Sequence, residues 1–252
     1  MINRLLYNIE DDYDVAIEKL SSNIRMISFK KMVFKESVKF KILCIRLQKC
    51  ITLQIIDICQ CKFEKNAFEF LMSYVVRCPS LGWLFLSFSN LNDNNAQYIA
   101  NKFCQFNSLT SLNLKGNPIT EKGERVLCDN IFRCPTLIAC ITDNINQEIS
   151  LNLQKNRGQI SDFHSAVMNS ETAKYNGKLA FFPTLINSFH KGKTLLHYLV
   201  IDDKHTELLI NILKIKPNPY LTDMISDKLP LDIAVNQNII IDYMDLYYKE
   251  HN

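Results

Sequence analysis

Nine cysteines and five histidines are the residues of this 252-residue chain best suited to chemistry, and their placement limits what they can do. All the cysteines fall between Cys44 and Cys140, whereas the histidines are His164, His190, His197, His205 and His251. Thiol catalysis needs a base within hydrogen-bond reach of the sulfur. Such a dyad would have to form between two separate halves of the chain. Cys59 and Cys61 bring two sulfurs near one another, but no second pair follows at the spacing of a zinc site. Residues 187–194, NSFHKGKT, read like the end of a phosphate-binding loop. That loop needs a strand before it and backbone amides free to cradle phosphate. Here Asn187 stands where the first glycine belongs, and an apolar, helix-like run precedes it. No G-x-S-x-G or H-E-x-x-H occurs. The expectation is therefore no enzyme, no cofactor and no metal, with a cysteine-based site at the junction of the two halves as the alternative.

The bulk composition narrows the classes further. At 47% apolar residues the chain can bury a sizeable core. A formal net charge of +3 is mild, so no nucleic-acid partner is expected. No apolar stretch approaches the roughly 18–20 residues of a membrane span. The opening MINRLLYNIEDDYDVAIEKL turns acidic where an export signal needs its apolar centre, so no ordinary signal of that kind is expected. With 6 Gly and 7 Pro, long flexible linkers are not expected either.

The elements that must position any site announce themselves through self-similarity. The pattern L-x-x-L-x-L appears as Leu53, Ile56, Ile58, then 28 residues later as Leu81, Leu84, Leu86, and after a further 28 as Leu109, Leu112, Leu114. Leu137 begins a fading copy, and Ile24, Ile27, Phe29 precede the first at an offset of 29. In SLTSLNLKGNPITEKGERVL the signature extends to Asn117, with Cys61 and Ser89 at the matching positions of earlier copies. A small polar group there is expected to satisfy backbone donors of the turn. Residues 21–145 resemble the ribonuclease-inhibitor type of leucine-rich repeat, which implies a strand and a helix per unit. Cys50, Cys78 and Cys134 then share one position at a helix end, so most cysteines are expected to be buried and structural.

Past Gly158 the pattern changes. GKTLLHYLV (192–200) and LPLDIAV (229–235) resemble the G-x-T-P-L-H-x-A signature of ankyrin repeats, with SDFHSAV around His164 as a weaker earlier copy. That resemblance implies helical pairs, with His197 fixing a turn by hydrogen bonding and IIIDYMDLYYKEH as the closing helix. The organisation expected is a flank at 1–20, leucine-rich repeats at 21–145, a capping helix or linker at 146–157 and ankyrin repeats at 158–252. The fold class expected is an α/β leucine-rich-repeat horseshoe followed by an all-α ankyrin-repeat stack.

Side chains alternate along a strand, so the positions between the inward leucines must face away from the core. One such row is Met26, Ile55, Trp83, Ser111 and Ala139; the next is Ser28, Asp57, Phe85, Asn113 and Ile141. A third row, past the strand ends, is Lys31, Gln60, Phe88, Gly116 and Asn144. Under the resemblance this is the concave face. The only tryptophan of the chain falls in its middle, with Phe85 and Phe88 beside it. Apolar patches of this kind mark interaction sites. The partner-binding set expected is Trp83, Phe85, Phe88, Ile55, Asp57, Asn113 and Lys115.

A basic run, Lys30, Lys31, Lys35, Lys39, Lys41, Arg46 and Lys49, is opposed within its span only by Glu36. It could dock an acidic partner or lipid headgroups. The ordinary reading is a solvated helix face, neutralised by Glu10, Asp11, Asp12, Asp14 and Glu18 nearby in sequence. The function expected is protein–protein recognition. The pairing of modules is similar to type IV secreted effectors of intracellular bacteria, which implies a host protein as partner and the host cytoplasm as location, with the chain's own cytoplasm as the alternative. A self-associating structural protein is the remaining class.

Overall fold

A computed structural model describes residues 4–7, 13, 17, 20, 24–144 and 146–251. The acidic residues expected to neutralise the basic run, Glu10, Asp11, Asp12, Asp14 and Glu18, lie outside the described residues. The chain divides into two compact units, Met1–Asn156 and Arg157–Asn252.

The first unit is a parallel sheet covered by helices. Its strands are β1 (Arg4–Tyr7), β2 (Met26–Lys30), β4 (Ile55–Cys59), β6 (Trp83–Phe85), β7 (Ser111–Asn113) and β8 (Ala139–Ile141), and they lie side by side in chain order. A small parallel pair, β3 (Val33–Phe34) and β5 (Lys62–Phe63), forms separately. Helices α1 (Val38–Lys49), α2 (Ala67–Val75), α3 (Asp93–Lys102) and α4 (Glu121–Asn130) return the chain from one strand to the next. The pairing register follows the sequence spacing: Ile55 stands opposite Trp83, Trp83 opposite Ser111, and Ser111 opposite Ala139.

The helices start where the sequence supplies caps. Ser37 accepts from the Phe40 amide at 3.1 Å ahead of α1, and Thr120 from the Lys122 amide ahead of α4. Asn92 and Asn95 form a reciprocal capping box before α3. Ile56, Leu84, Leu112 and their neighbours Ile58, Leu86, Leu114 point inward and are fully buried, with Phe34, Phe40, Phe68 and Phe103 filling the helix side. Asn117 holds the turns in line. Its Oδ1 accepts from the Ser89 and Leu91 amides at 2.9 and 3.0 Å, and its Nδ2 donates to the Leu86 and Leu114 carbonyls.

The second unit begins inside α5 (Gln147–Met168) and continues through α6 (Thr172–Phe181), α7 (Leu195–Leu199), α8 (Thr206–Leu213), α9 (Pro230–Ile233) and α10 (Gln237–His251). Between α6 and α7 an antiparallel hairpin forms, β9 (Phe189–His190) with β10 (Lys193–Thr194). Its two turn residues, Lys191 and Gly192, both have positive φ, at 49° and 80°, as a two-residue turn of this hand requires. His197 accepts from the Thr194 amide and reaches the Lys228 carbonyl at 2.9 Å, so it does tie the turn. His164, buried within α5, makes a comparable bond: its Nε2 lies 3.2 Å from the carbonyl of Ser188, just ahead of the hairpin.

The expected fold class is corrected. The chain is a mixed α/β protein built on a parallel sheet with helices, not a leucine-rich-repeat horseshoe followed by an all-α ankyrin stack. Two local features carry the difference. The segment expected as an N-terminal flank contributes β1, paired in register with β2 from Arg4–Met26 to Tyr7–Phe29. The second unit is not all helical, because Phe189–His190 pairs with Lys193–Thr194 as strands.

Candidate binding face

The sheet of the first unit has one face filled by the core and helices, and its other face carries the side chains between the inward leucines. Parallel register places these in rows. Met26, Ile55, Trp83, Ser111 and Ala139 are all half-buried neighbours across five strands. The apolar members Met26, Ile55 and Trp83 are therefore contiguous. In the next row Phe85 stands between Asp57 and Asn113, with Ile141 at the end 44% exposed.

Phe88 lies just past β6 and is the most exposed aromatic of this set, at 56%. Its backbone is left-handed, with φ at 57°. Lys31, Gln60 and Gly116 share that conformation at the matching ends of β2, β4 and β7. A bulky residue pays a steric penalty of about 1–2 kcal/mol in this region. The Phe88 ring lies across Gly116, where a Cβ would meet its Cδ1 at 2.2 Å. The Phe88 amide donates to the Lys115 carbonyl at 2.9 Å, and Asn113 Oδ1 accepts from the Lys115 amide at 3.0 Å. The Lys115 side chain is exposed beside them.

Asp57 behaves differently from the rest of the expected set. It is buried, and Ser28 donates to its Oδ2 at 2.9 Å, while its Oδ1 has no hydrogen-bond partner. Burial and the neighbouring Asp57 carboxylate both raise the Cys59 thiol above its ordinary range, and the sulfur lies 3.1 Å from Ser87 Oγ. Ser28, Asp57, Cys59 and Ser87 thus make a small polar cluster beside the aromatic rows. Ser28 and Asp57 were assigned to the correct row by alternation alone. The Cys59–Ser87 contact was not anticipated; the 28-residue spacing between them is the signal that could have found it.

No family model and no curated protein matches the chain. The site must be judged on its own chemistry. All nine cysteines are free thiols, six of them buried, and burial pushes Cys44, Cys134 and Cys140 up to about 12 and Cys61 up to about 11. A thiol held that high supplies almost no thiolate near neutral pH. Among the described residues no group of three or more His, Cys, Asp or Glu is arranged to hold a metal ion.

Two cavities lie away from the face. One, of about 490 Å³ in the first unit, is lined by Glu121, Glu124, Arg125 and Glu148; Glu124 is buried and accepts from Asn144 Nδ2 at 3.2 Å. The other, of about 370 Å³ in the second unit, is largely apolar and bordered by Phe181, Phe182 and Leu185. Neither holds a nucleophile beside a base.

Proposed function

We propose that this chain is a protein-recognition module, and that it binds a protein partner through the sheet face carrying Ile55, Trp83, Phe85 and Phe88. The observation that carries this reading is Phe88. An aromatic side chain 56% exposed, on left-handed backbone, costs free energy twice and contributes little to the core. A partner that covers it together with the contiguous Met26–Ile55–Trp83 row offsets both costs. Asn113 and Lys115 beside these rows supply polar groups of the kind that fix orientation at an interface, whereas Asp57 is buried against Ser28.

The chemistry around the cysteines favours recognition over catalysis. No histidine occurs within the first unit, and its buried thiols are held in the unreactive form. No helix is long and apolar enough to cross a membrane among the described residues. The test is affinity capture by the intact chain beside its Trp83→Ala variant, with solution mass measured for both. A protein retained by the first and lost by the second supports the reading. Loss of a dimer instead, with no other protein captured, would assign the face to self-association.

A further inference from the structure

Helix α1 carries an apolar line where its outer surface should be polar. Phe40, Leu43, Cys44 and Leu47 are buried against the core. Positions i, i+4 and i+7 share one face of a helix, so Val38, Ile42 and Ile45 align on the side opposite to that core stripe. They are 75%, 40% and 42% exposed. Neither core burial nor helix propensity accounts for them, because β-branched residues are poorer helix formers than the straight-chain residues usual on a solvated face.

Basic residues frame this line. Lys49 continues it by one further turn, Lys41 and Arg46 flank it on opposite sides, and Lys35 precedes the helix; all four are exposed. The Lys41 ammonium stands 5.8 Å from the centre of the Phe70 ring on the neighbouring helix α2, so its stem runs along the protein surface to one side of the apolar line. Glu36 is the only acidic residue from 30 to 49.

We propose that this face of α1 is a docking surface for an anionic lipid membrane. Val38, Ile42 and Ile45 enter the boundary between headgroups and acyl chains, while Lys35, Lys41, Arg46 and Lys49 meet the lipid phosphates. The arrangement suits a plane more than a protein groove. The apolar residues form the crown of a cylinder, and the cations spread to both sides of it, matching an extended sheet of negative charge. This surface is distinct from the sheet face, so a membrane-seated molecule keeps that face free for its partner.

The test is co-sedimentation of the full chain with vesicles of phosphatidylcholine alone and of phosphatidylcholine containing about one third phosphatidylserine, at low and high salt. The expected result is binding at least about tenfold stronger to the anionic vesicles, weakened by salt. The triple variant Val38→Ser, Ile42→Ser, Ile45→Ser and, separately, the pair Arg46→Gln, Lys49→Gln should each reduce that binding about tenfold with melting temperature little changed. Absence of the wild-type chain from the anionic pellet, or equal binding by both variants, would overturn the proposal. Retention of the chain on an immobilised acidic amphipathic peptide, without vesicle binding, would overturn it in favour of a protein partner at this helix.

Discussion

The Phe88 ring occupies the space that a side chain on Gly116 would need: a Cβ there would fall 2.2 Å from Phe88 Cδ1. The two residues hold matching positions at the ends of adjacent strands, and both are left-handed, with φ at 57° and 74°. Glycine at the second position is what lets the aromatic ring lie flat across it. Gly116→Ala is therefore expected to strain the backbone and push the ring outward, lowering stability by about 1–2 kcal/mol. Urea denaturation checks the first effect. Partner binding, measured on the still-folded variant, should fall as well, because the ring no longer sits in its place.

The cysteines should separate cleanly by reactivity. Cys104 is exposed on the helical surface near Arg133, whereas burial raises Cys44, Cys50, Cys78 and Cys134. Only the thiolate reacts. Native protein titrated with a disulfide reagent at about pH 8 should show one rapid thiol, removed by Cys104→Ser, with the others reacting only slowly or after denaturation. Several rapid thiols in Cys104→Ser would contradict the buried placement.

Acid should weaken the second unit through His164. Its Nδ1 has no partner, and burial, with His190 5.4 Å away between ring centres, holds its pKa down to about 4. The ordinary value in the unfolded chain is 6.5, so between these limits the unfolded state binds more protons than the folded one. The stabilising contribution is complete above pH 6.5 and is lost as pH falls toward about 4. Burial lowers His197 in the same sense. Stability measured across that range should decline for wild type and decline less steeply for His164→Leu. Parallel slopes would show that His164 is not the group responsible.

Much of the first unit was legible in the sequence because leucine spacing is a strong signal. The 28-residue offset gave the strand positions, and strand pairing follows the same offset, Trp83 against Ser111 and Phe85 against Asn113. A second, weaker series went unread. Thr52, Ser80, Ser108 and Thr136 recur at the same spacing, and each donates its hydroxyl to a carbonyl of the preceding unit, those of Ile24, Ile51, Pro79 and Leu109. Serine and threonine are common enough that their recurrence hides among unrelated copies. Alternation assigned side chains to a face but not to a degree of exposure. Asp57 is buried on that face, where cross-strand neighbours lie only about 5 Å apart: Phe85 is its register partner on one side, and Ser28 on the other donates to its Oδ2.

The central claim is that the Trp83 face serves a partner and not the fold, and neighbouring residues of β6 provide the most direct test. Leu84 is fully buried in the core, whereas Trp83 is half-buried on the outer row. Leu84→Ala should cost roughly 2–5 kcal/mol of stability through the cavity it leaves. Trp83→Ala should leave stability much closer to wild type and weaken binding of the captured partner at least about thirtyfold. Binding and denaturation of the two variants, measured side by side, decide the matter. A Trp83→Ala protein that loses stability as Leu84→Ala does, yet binds as tightly as wild type, would contradict the account.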